Sequence, residues 1–130
     1  MKTEPGTFSI FHLEKLPNQT THWEGVRNYQ ARNFMKNDMK VGDKVFIYHS
    51  VIEPVGIFGT AHVAKEAYID HFQYDSKSKY FDPKATLEKP IWMMVDIKLD
   101  KIFKKPITLQ EIKSYPELED MMVVQKGSRL

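Results

Sequence analysis

The chain contains no cysteine among its 130 residues. Disulfides, thiolate nucleophiles and cysteine-rich zinc sites are therefore excluded, and the composition is typical of a reducing compartment. No apolar run approaches the roughly 18–20 residues of a membrane-spanning helix, and no signal-peptide pattern opens the sequence. We therefore expect a cytoplasmic protein, or a nuclear one if its source is eukaryotic, with no membrane partner.

Three common motifs of nucleotide and ester chemistry are also absent. The sequence has no GxGxxG, no GxxxxGK[ST] and no GxSxG, so nucleotide-driven reactions and an esterase elbow have no support. The formal net charge of +2 is far below the dense Lys/Arg loading of proteins that hold a duplex by charge alone. Any contact with nucleic acid should therefore be local.

The composition indicates one globular domain over residues 1–130. Hydrophobic residues make up 42% of the chain and charged residues 28%, with no internal repeat or low-complexity tract. No apolar stripe exceeds what a single core needs, so a monomer is favoured although the sequence does not determine the oligomeric state.

The hydrophobic patterns predict a mixture of strands and short helices. Runs rich in β-branched and aromatic residues predict strands at 45–51, 55–69 and 90–103. Helical spacing and capping residues predict helices at 7–16, 23–37 and 108–115. The order has no regular βαβ repeat, which favours an α+β fold, a partly closed β-barrel with short helices at its margins. Loops are expected at 17–22 and 70–90.

Several residues have specific predicted roles within these elements. Thr7 or Ser9 should cap the first helix, and Thr108 should cap the last. In the second helix the core stripe should comprise Ala31, Phe34 and Met35. In the second strand, glycines at 56 and 59 would allow a bulge or a close backbone approach.

The start of the second predicted helix carries groups that suit a flat or anionic ligand. Trp23 could project into a cavity or simply fill the core. Arg27, Asn28 and Arg32 supply several hydrogen-bond donors each, suited to phosphates or base edges. The alternative is a solvated helix face for the arginines and a backbone-capping role for Asn28.

The remaining candidates favour catalysis less. His49 and Ser50 are adjacent in a strand, so their side chains point to opposite faces and cannot pair directly; a structural hydrogen bond is the favoured role for His49. Carboxylates and an imidazole that could bind a metal occur in the 70–90 loop, but without a recognised ligand spacing: Asp70, His71, Asp75 and Asp82. A mixed-charge surface loop is the simpler interpretation, and no metal or other cofactor is expected.

Seven stretches together resemble the EVE domain family of the PUA-like superfamily. They are MKTEPGTFSI, HWEGVRNYQARNFM, MKVGDKVFIYHS, GIFGTAHV, YFDPKA, WMMVDI and VVQKGSRL. The resemblance spans nearly the whole chain and implies a PUA-like barrel with a pocket for a single nucleobase. It also implies a reader of modified bases and not a catalyst, since the related YTH domains flip out N6-methyladenine and EVE members are associated with modified cytosines in DNA.

The resemblance also implies roles for individual residues. Trp23 matches the tryptophan that stacks on the base, and the other matched positions are Lys2, Thr3 and Glu4 in the pocket wall, Arg27 and Asn28 beside it, His49 and Ser50 at its rim, and Gln125 and Arg129 in the closing segment. We expect Glu4, Asn28 and the backbone at Thr3 to contact the base edge. Arg27, Arg32 or Lys2 would meet a phosphate or another acidic group.

The expected partner is nucleic acid, with modified DNA favoured and RNA possible. The alternatives are an RNA-binding PUA-like domain and a metal-dependent hydrolase that uses Asp70, His71 and Asp75. Family chains usually extend slightly further at both ends, so this sequence is expected to be a trimmed form.

Overall fold

The structure is a computed structural model that describes residues 1–115. These residues contain five strands: β1 (Lys2–Thr3), β2 (Thr20–His22), β3 (Lys44–His49), β4 (Gly56–Ile69) and β5 (Met93–Thr108). They form one sheet in the order β1-β3-β4-β5-β2, with β1 parallel to β3 and all other pairs antiparallel. Within the described part of the chain β1 and β2 do not pair, so the sheet is open between them. The predicted α+β class is confirmed.

The two long strands follow from alternating burial along their sequences. Inward-facing Ile57, Ala61 and Val63 of β4 are each at most 3% exposed, as expected for a strand with one buried face. Shifts of register between β4 and β5 interrupt the ladder at several points, and such bulges increase bend and twist. Gly59 confirms the predicted close approach, because a Cβ atom there would lie 2.2 Å from the Lys101 carbonyl oxygen.

Helix α1 (Ile10–Glu14) and helix α3 (Leu109–Lys113) begin at the predicted caps. Ser9, not Thr7, caps α1: its Oγ accepts the His12 N–H at 3.2 Å. Thr108 Oγ1 accepts the backbone N–H of Glu111 at 3.1 Å and so caps α3. Both helices are shorter than predicted.

Helix α2 (Tyr29–Asn37) begins six residues later than the sequence pattern predicted. Asn28 is its cap, and Gly25 has a φ of +84°, which a continuing helix cannot contain. The segment from Trp23 to Asn28 therefore runs as irregular chain ahead of the helix. Of the predicted core stripe, Ala31 and Met35 are buried, whereas Phe34 is 42% exposed; its place in the core was wrongly predicted.

The loop predicted at 17–22 is wrong in part. It contains a 3₁₀ helix (Pro17–Gln19) and strand β2, which pairs with β5 through Thr20 opposite Lys98 and His22 opposite Asp96. Strand β1 was likewise missed. Segments of two or three residues are too short to show an alternation, so tertiary pairing alone defines them.

The connection between β4 and β5 is tied down by a buried glutamine. This connection contains a 3₁₀ helix (His71–Tyr74), in which Gln73 is fully buried. Gln73 Nε2 donates to the carbonyls of Asp70 and Trp92, and its Oε1 accepts the N–H groups of Ile91 and Trp92. All four bonds measure 2.7–2.9 Å, so this one side chain joins the two ends of the loop.

The main hydrophobic core joins the sheet to α1 and α2, and a smaller cluster formed by Tyr48, Ile57 and Ile112 joins the sheet to α3. Over residues 1–115 the structure has no helix of the length and hydrophobicity needed to cross a membrane.

We predict that Gln73→Ala lowers the free energy of unfolding by about 2–4 kcal/mol, because its buried backbone partners would lose their hydrogen bonds. Urea denaturation measures the loss. Gln30→Ala, at an exposed position on α2, is the matched control and should change stability by less than about 0.5 kcal/mol. Equal stability of the two variants would contradict this role of Gln73.

Candidate functional site

A cavity of about 690 Å³ opens between the two edge strands of the sheet. Its lining consists of residues 2–4, 7, 8, 21–28, 79 and 80. Strands β1 and β2 are at opposite edges of the sheet and both contribute to the lining, so the sheet curls until its edges face one space. The volume is within the range of small-molecule binding sites.

Trp23 combines a core contact with a place in the cavity wall. Its backbone N–H donates to the Val95 carbonyl at 2.7 Å, which fixes it against β5. Its ring meets the Phe8 ring edge-on, with the centroids 6.1 Å apart. The partly buried ring packs on the core and also lines the cavity. Trp23 therefore combines the two roles considered from the sequence, filling the core and bordering a cavity.

The segment Lys2–Glu4 forms the wall beside β3. The Thr3 carbonyl accepts the Ser50 N–H at 2.9 Å, and Thr3 Oγ1 donates to the Phe8 carbonyl at 2.8 Å. The Glu4 carbonyl accepts two N–H groups from the following turn. Backbone bonds therefore hold this wall, while the Glu4 side chain is exposed.

Arg27 is committed to the protein itself. Its Nη1 donates to Asp70 Oδ2 at 2.9 Å and to the Val26 carbonyl at 3.1 Å. Its Nε and Nη2 both donate to the Tyr80 carbonyl, at 3.1 and 2.8 Å. Arginine has five N–H donors, and these four bonds leave little capacity for a phosphate. Arg27 is thus in the predicted place, with a role in building the wall.

Asn28 has the capping role that was considered as an alternative. Its Oδ1 accepts the Ala31 N–H at 2.9 Å. The carboxamide nitrogen makes no hydrogen bond within residues 1–115, and the residue lines the cavity. Asn28 can therefore cap α2 and still donate to a ligand.

Arg32, His49 and Ser50 do not line the cavity. Arg32 Nη1 donates to the Ile91 carbonyl at 3.0 Å, and its guanidinium lies over the Tyr29 ring. His49 Nε2 accepts the Ile10 N–H at 3.1 Å, and burial lowers the pKa of its imidazole, which favours the neutral form. The predicted structural hydrogen bond of His49 is confirmed.

Ser50 braces the cavity wall from behind, since its Oγ donates to the Thr3 carbonyl at 3.2 Å. Gln125 and Arg129 lie outside the described residues. The structure thus brings six of the predicted site residues together around the cavity: Lys2, Thr3, Glu4, Trp23, Arg27 and Asn28.

The other nine lining residues were not predicted as site residues: Thr7, Phe8, Thr21, His22, Glu24, Gly25, Val26, Lys79 and Tyr80. His22 Nδ1 lies 3.3 Å from a carboxylate oxygen of Glu24 in the same wall. Lys79 and Tyr80 come from the long loop between β4 and β5. The stretch YFDPKA carried part of the family resemblance, and this was the available signal for Tyr80.

The acidic residues of the loop serve mainly as structural acceptors. Asp70 is fully buried and paired with Arg27. Asp82 Oδ2 accepts the Trp92 Nε1–H at 2.8 Å, and this bond lowers the pKa of the Asp82 carboxyl. Across residues 1–115 there is no group of three or more His, Asp or Glu side chains that could hold a metal ion.

The open five-stranded sheet, the short flanking helices and the cavity between the sheet edges define a PUA-like α+β domain, as predicted. The EVE domain profile matches residues 1–130, and the chain belongs to the EVE domain family.

Solved structures agree with this assignment. A protein from Pseudomonas putida is 43% identical with a TM-score of 0.92, covering 100% of this chain and 85% of that one. The human THYN1 protein in complex with 5-methylcytosine-containing DNA is 40% identical with a TM-score of 0.90, covering 98% and 84%.

The chain is also similar to thymocyte nuclear protein 1 of several vertebrates. The protein from Danio rerio is 46% identical over 124 residues, which cover 88% of this chain and 53% of that protein. The Homo sapiens protein is 44% identical over 124 residues, covering 88% and 55%. The chain therefore spans about half the length of these relatives.

Gly25 packs so closely against Tyr80 that it provides a test of this wall. A Cβ atom at Gly25 would lie 2.4–2.9 Å from three atoms of the Tyr80 ring, whereas one at Gly42 would meet nothing within 4 Å. Both glycines have positive φ, +84° and +92°. The pair therefore separates backbone strain from the ring contact.

We predict that Gly42→Ala costs about 1–2 kcal/mol of unfolding free energy from backbone strain alone. Gly25→Ala should cost at least about 1 kcal/mol more, because it adds overpacking against Tyr80. Chemical denaturation of both variants measures the difference. Equal losses would contradict the close packing of Tyr80 on Gly25.

Proposed function

We propose that this domain binds nucleic acid and accommodates one base, modified in the manner of 5-methylcytosine, in the cavity beside Trp23. The observation that carries the proposal is an aromatic ring in the wall of a cavity of about 690 Å³ at the open side of the sheet. The likeness over 98% of the chain to a human protein in complex with 5-methylcytosine-containing DNA supports it.

Stacking on Trp23 would supply the main attraction. The backbone bond to Val95 and the edge contact with Phe8 hold the indole before any ligand arrives. A preorganised ring loses little conformational freedom on binding, and base–aromatic stacking contributes about 1–3 kcal/mol per base. Extracting a base from a duplex costs a few kcal/mol, so the net affinity for a single site should be modest.

The edge of the base would meet a donor and an acceptor. The Asn28 carboxamide nitrogen can donate to a ring nitrogen or carbonyl oxygen, and the Glu4 carboxylate can accept from an exocyclic amino group. A cytosine-type base presents both kinds of group. Asn28 lies in the cavity wall, and Glu4 reaches it from the turn after β1.

Lysines are better placed than arginines to meet the flanking phosphates. Lys2 and Lys79 both line the cavity, whereas Arg27 is engaged by Asp70 and Tyr80 and Arg32 lies elsewhere. Lys2 was one of the three residues expected to meet a phosphate, and Lys79 is a second cation in the same lining. Binding that depends on them should weaken as salt rises.

Two alternatives to a DNA reader are a domain that accepts an RNA base in the same cavity and a metal-dependent hydrolase that cleaves nucleic acid. Binding and cleavage measurements distinguish them. A reader binds modified DNA more tightly than RNA and does so in the presence of a chelator. A hydrolase instead produces metal-dependent cleavage that a chelator abolishes.

We predict that a duplex with a single 5-methylcytosine binds more tightly than its unmodified counterpart, and that Trp23→Ala weakens this binding about five- to 150-fold. Fluorescence anisotropy at low salt measures both effects. Parallel titrations use duplexes with 5-hydroxymethylcytosine or N6-methyladenine and a single-stranded RNA of the same sequence, each with and without a chelator.

Two variants control for loss of packing at position 23. Trp23→Phe keeps an aromatic face and should bind more tightly than Trp23→Ala. Phe34→Ala removes an exposed ring on α2, outside the cavity, and should bind as the original chain does. Equal binding of all probes, unaffected by Trp23→Ala, would rule out the proposed function.

A further inference from the structure

Tyr80 lies in the cavity wall although no regular element carries it. It comes from the connection between β4 and β5, beyond the short 3₁₀ helix His71–Tyr74. Its ring packs on Gly25, so closely that a Cβ atom there would be 2.4 Å from the ring. Gly25 follows Trp23 by two residues, and the Tyr80 ring therefore covers backbone next to the proposed stacking residue.

Arg27 holds the Tyr80 backbone in this position. Two arms of the guanidinium converge on the Tyr80 carbonyl at 3.1 and 2.8 Å, while the Tyr80 N–H donates to Ser78 Oγ at 3.1 Å. The planar fork of an arginine fixes its acceptors in defined directions, which a lysine ammonium does not. The loop tip is thereby attached to the segment that carries Trp23.

Asp70 connects both parts of this arrangement without lining the cavity. Its side chain is fully buried, and Oδ2 accepts both the Arg27 Nη1–H at 2.9 Å and the Gly25 N–H at 3.0 Å. Its Oδ1 accepts the Phe72 N–H at 2.9 Å. One carboxylate thus orients the arginine that holds Tyr80 and the glycine on which the Tyr80 ring rests.

We propose that Tyr80 is a second aromatic contact for the bound base and that Asp70 is the residue that positions it, acting through Arg27. The inference rests on the proposed function and extends it. The ligand is a flat, extruded base that touches the rings of both Trp23 and Tyr80. Tyr80 contacts the ligand directly, whereas Asp70 is a positioning residue.

A double-mutant cycle in the whole chain tests the dependence of one residue on the other. The four proteins are the original chain, Asp70→Asn, Tyr80→Ala and the double variant. The probe is a duplex with one 5-methylcytosine, and the dissociation constant is measured at one fixed salt concentration. Asn at position 70 keeps an oxygen acceptor while removing the charge that pairs with Arg27.

We expect Tyr80→Ala to weaken binding about five- to 150-fold, as the loss of one stacked ring does. Asp70→Asn alone should weaken binding at least fivefold. In the double variant the effect of Asp70→Asn should disappear, because there is no ring left to position. If Asp70 had only a general structural role, the double variant would instead show the product of the two single-variant losses of affinity.

Matched variants separate the inference from instability. Asp75→Asn removes an exposed carboxylate of the same loop, one that accepts the Lys77 N–H, and should leave binding unchanged. Tyr80→Phe should bind more tightly than Tyr80→Ala because it keeps the ring. If Asp70→Asn does not fold in thermal unfolding, Arg27→Lys takes its place in the cycle, since it keeps the charge and loses the fork.

Three outcomes would overturn the inference. If Tyr80→Ala binds as tightly as the original chain, Tyr80 does not contact the base. If the losses of affinity multiply in the double variant, Asp70 is not the residue that positions Tyr80. In both of these cases the proposed function stands if the original chain binds the probe and Trp23→Ala weakens that binding. The third outcome is an original chain that binds no probe, which overturns the inference and the proposed function together.

Discussion

The ion pair between Asp70 and Arg27 joins the segment 23–28 to the loop that carries Tyr80, two of the chain segments around the cavity. Asp70 is buried at the end of β4, and Arg27 stands between Trp23 and α2. A buried carboxylate must be paired and hydrogen-bonded, and removing its partner typically costs about 3–5 kcal/mol. Such pairs often add little net stability over an apolar replacement. The contribution of the Asp70–Arg27 pair is geometric, because it holds the segment 23–28 close to the loop tip at Tyr80.

The open edge of the sheet explains where the cavity lies. Unpaired strand edges usually invite association with other strands. Here both edges, β1 and β2, are only two or three residues long and line a common space. Gln73 joins the two ends of the long loop, so the loop can close one side of that space. The cavity thus occupies the position at which a complete barrel would have its last strand pairing.

Part of this arrangement could be predicted from local sequence. The long strands show alternation, the caps Ser9 and Thr108 have the expected spacing, and Trp23 follows from its polar neighbours and the family resemblance. Arg27 is only partly predictable from local sequence. Its place beside the cavity was predicted, but its hydrogen-bond partners Asp70 and Tyr80 lie 43 and 53 positions further along the chain. Tyr80 was missed for the same reason, since nothing local indicates that a loop tyrosine packs on a distant glycine. The sequence offers Asp70 as a metal-ligand candidate, whereas in the fold its buried carboxylate pairs with Arg27.

The central claim is that a base enters the cavity beside Trp23, and the two tryptophans of the chain allow a direct measurement. Trp23 lines the cavity, whereas Trp92 is buried with its Nε1–H bound to Asp82. Their indole N–H resonances can be followed by NMR while a duplex with one 5-methylcytosine is added. The account predicts a shift of the Trp23 resonance that saturates, with the Trp92 resonance nearly unmoved. Saturating binding that leaves Trp23 unshifted would contradict it.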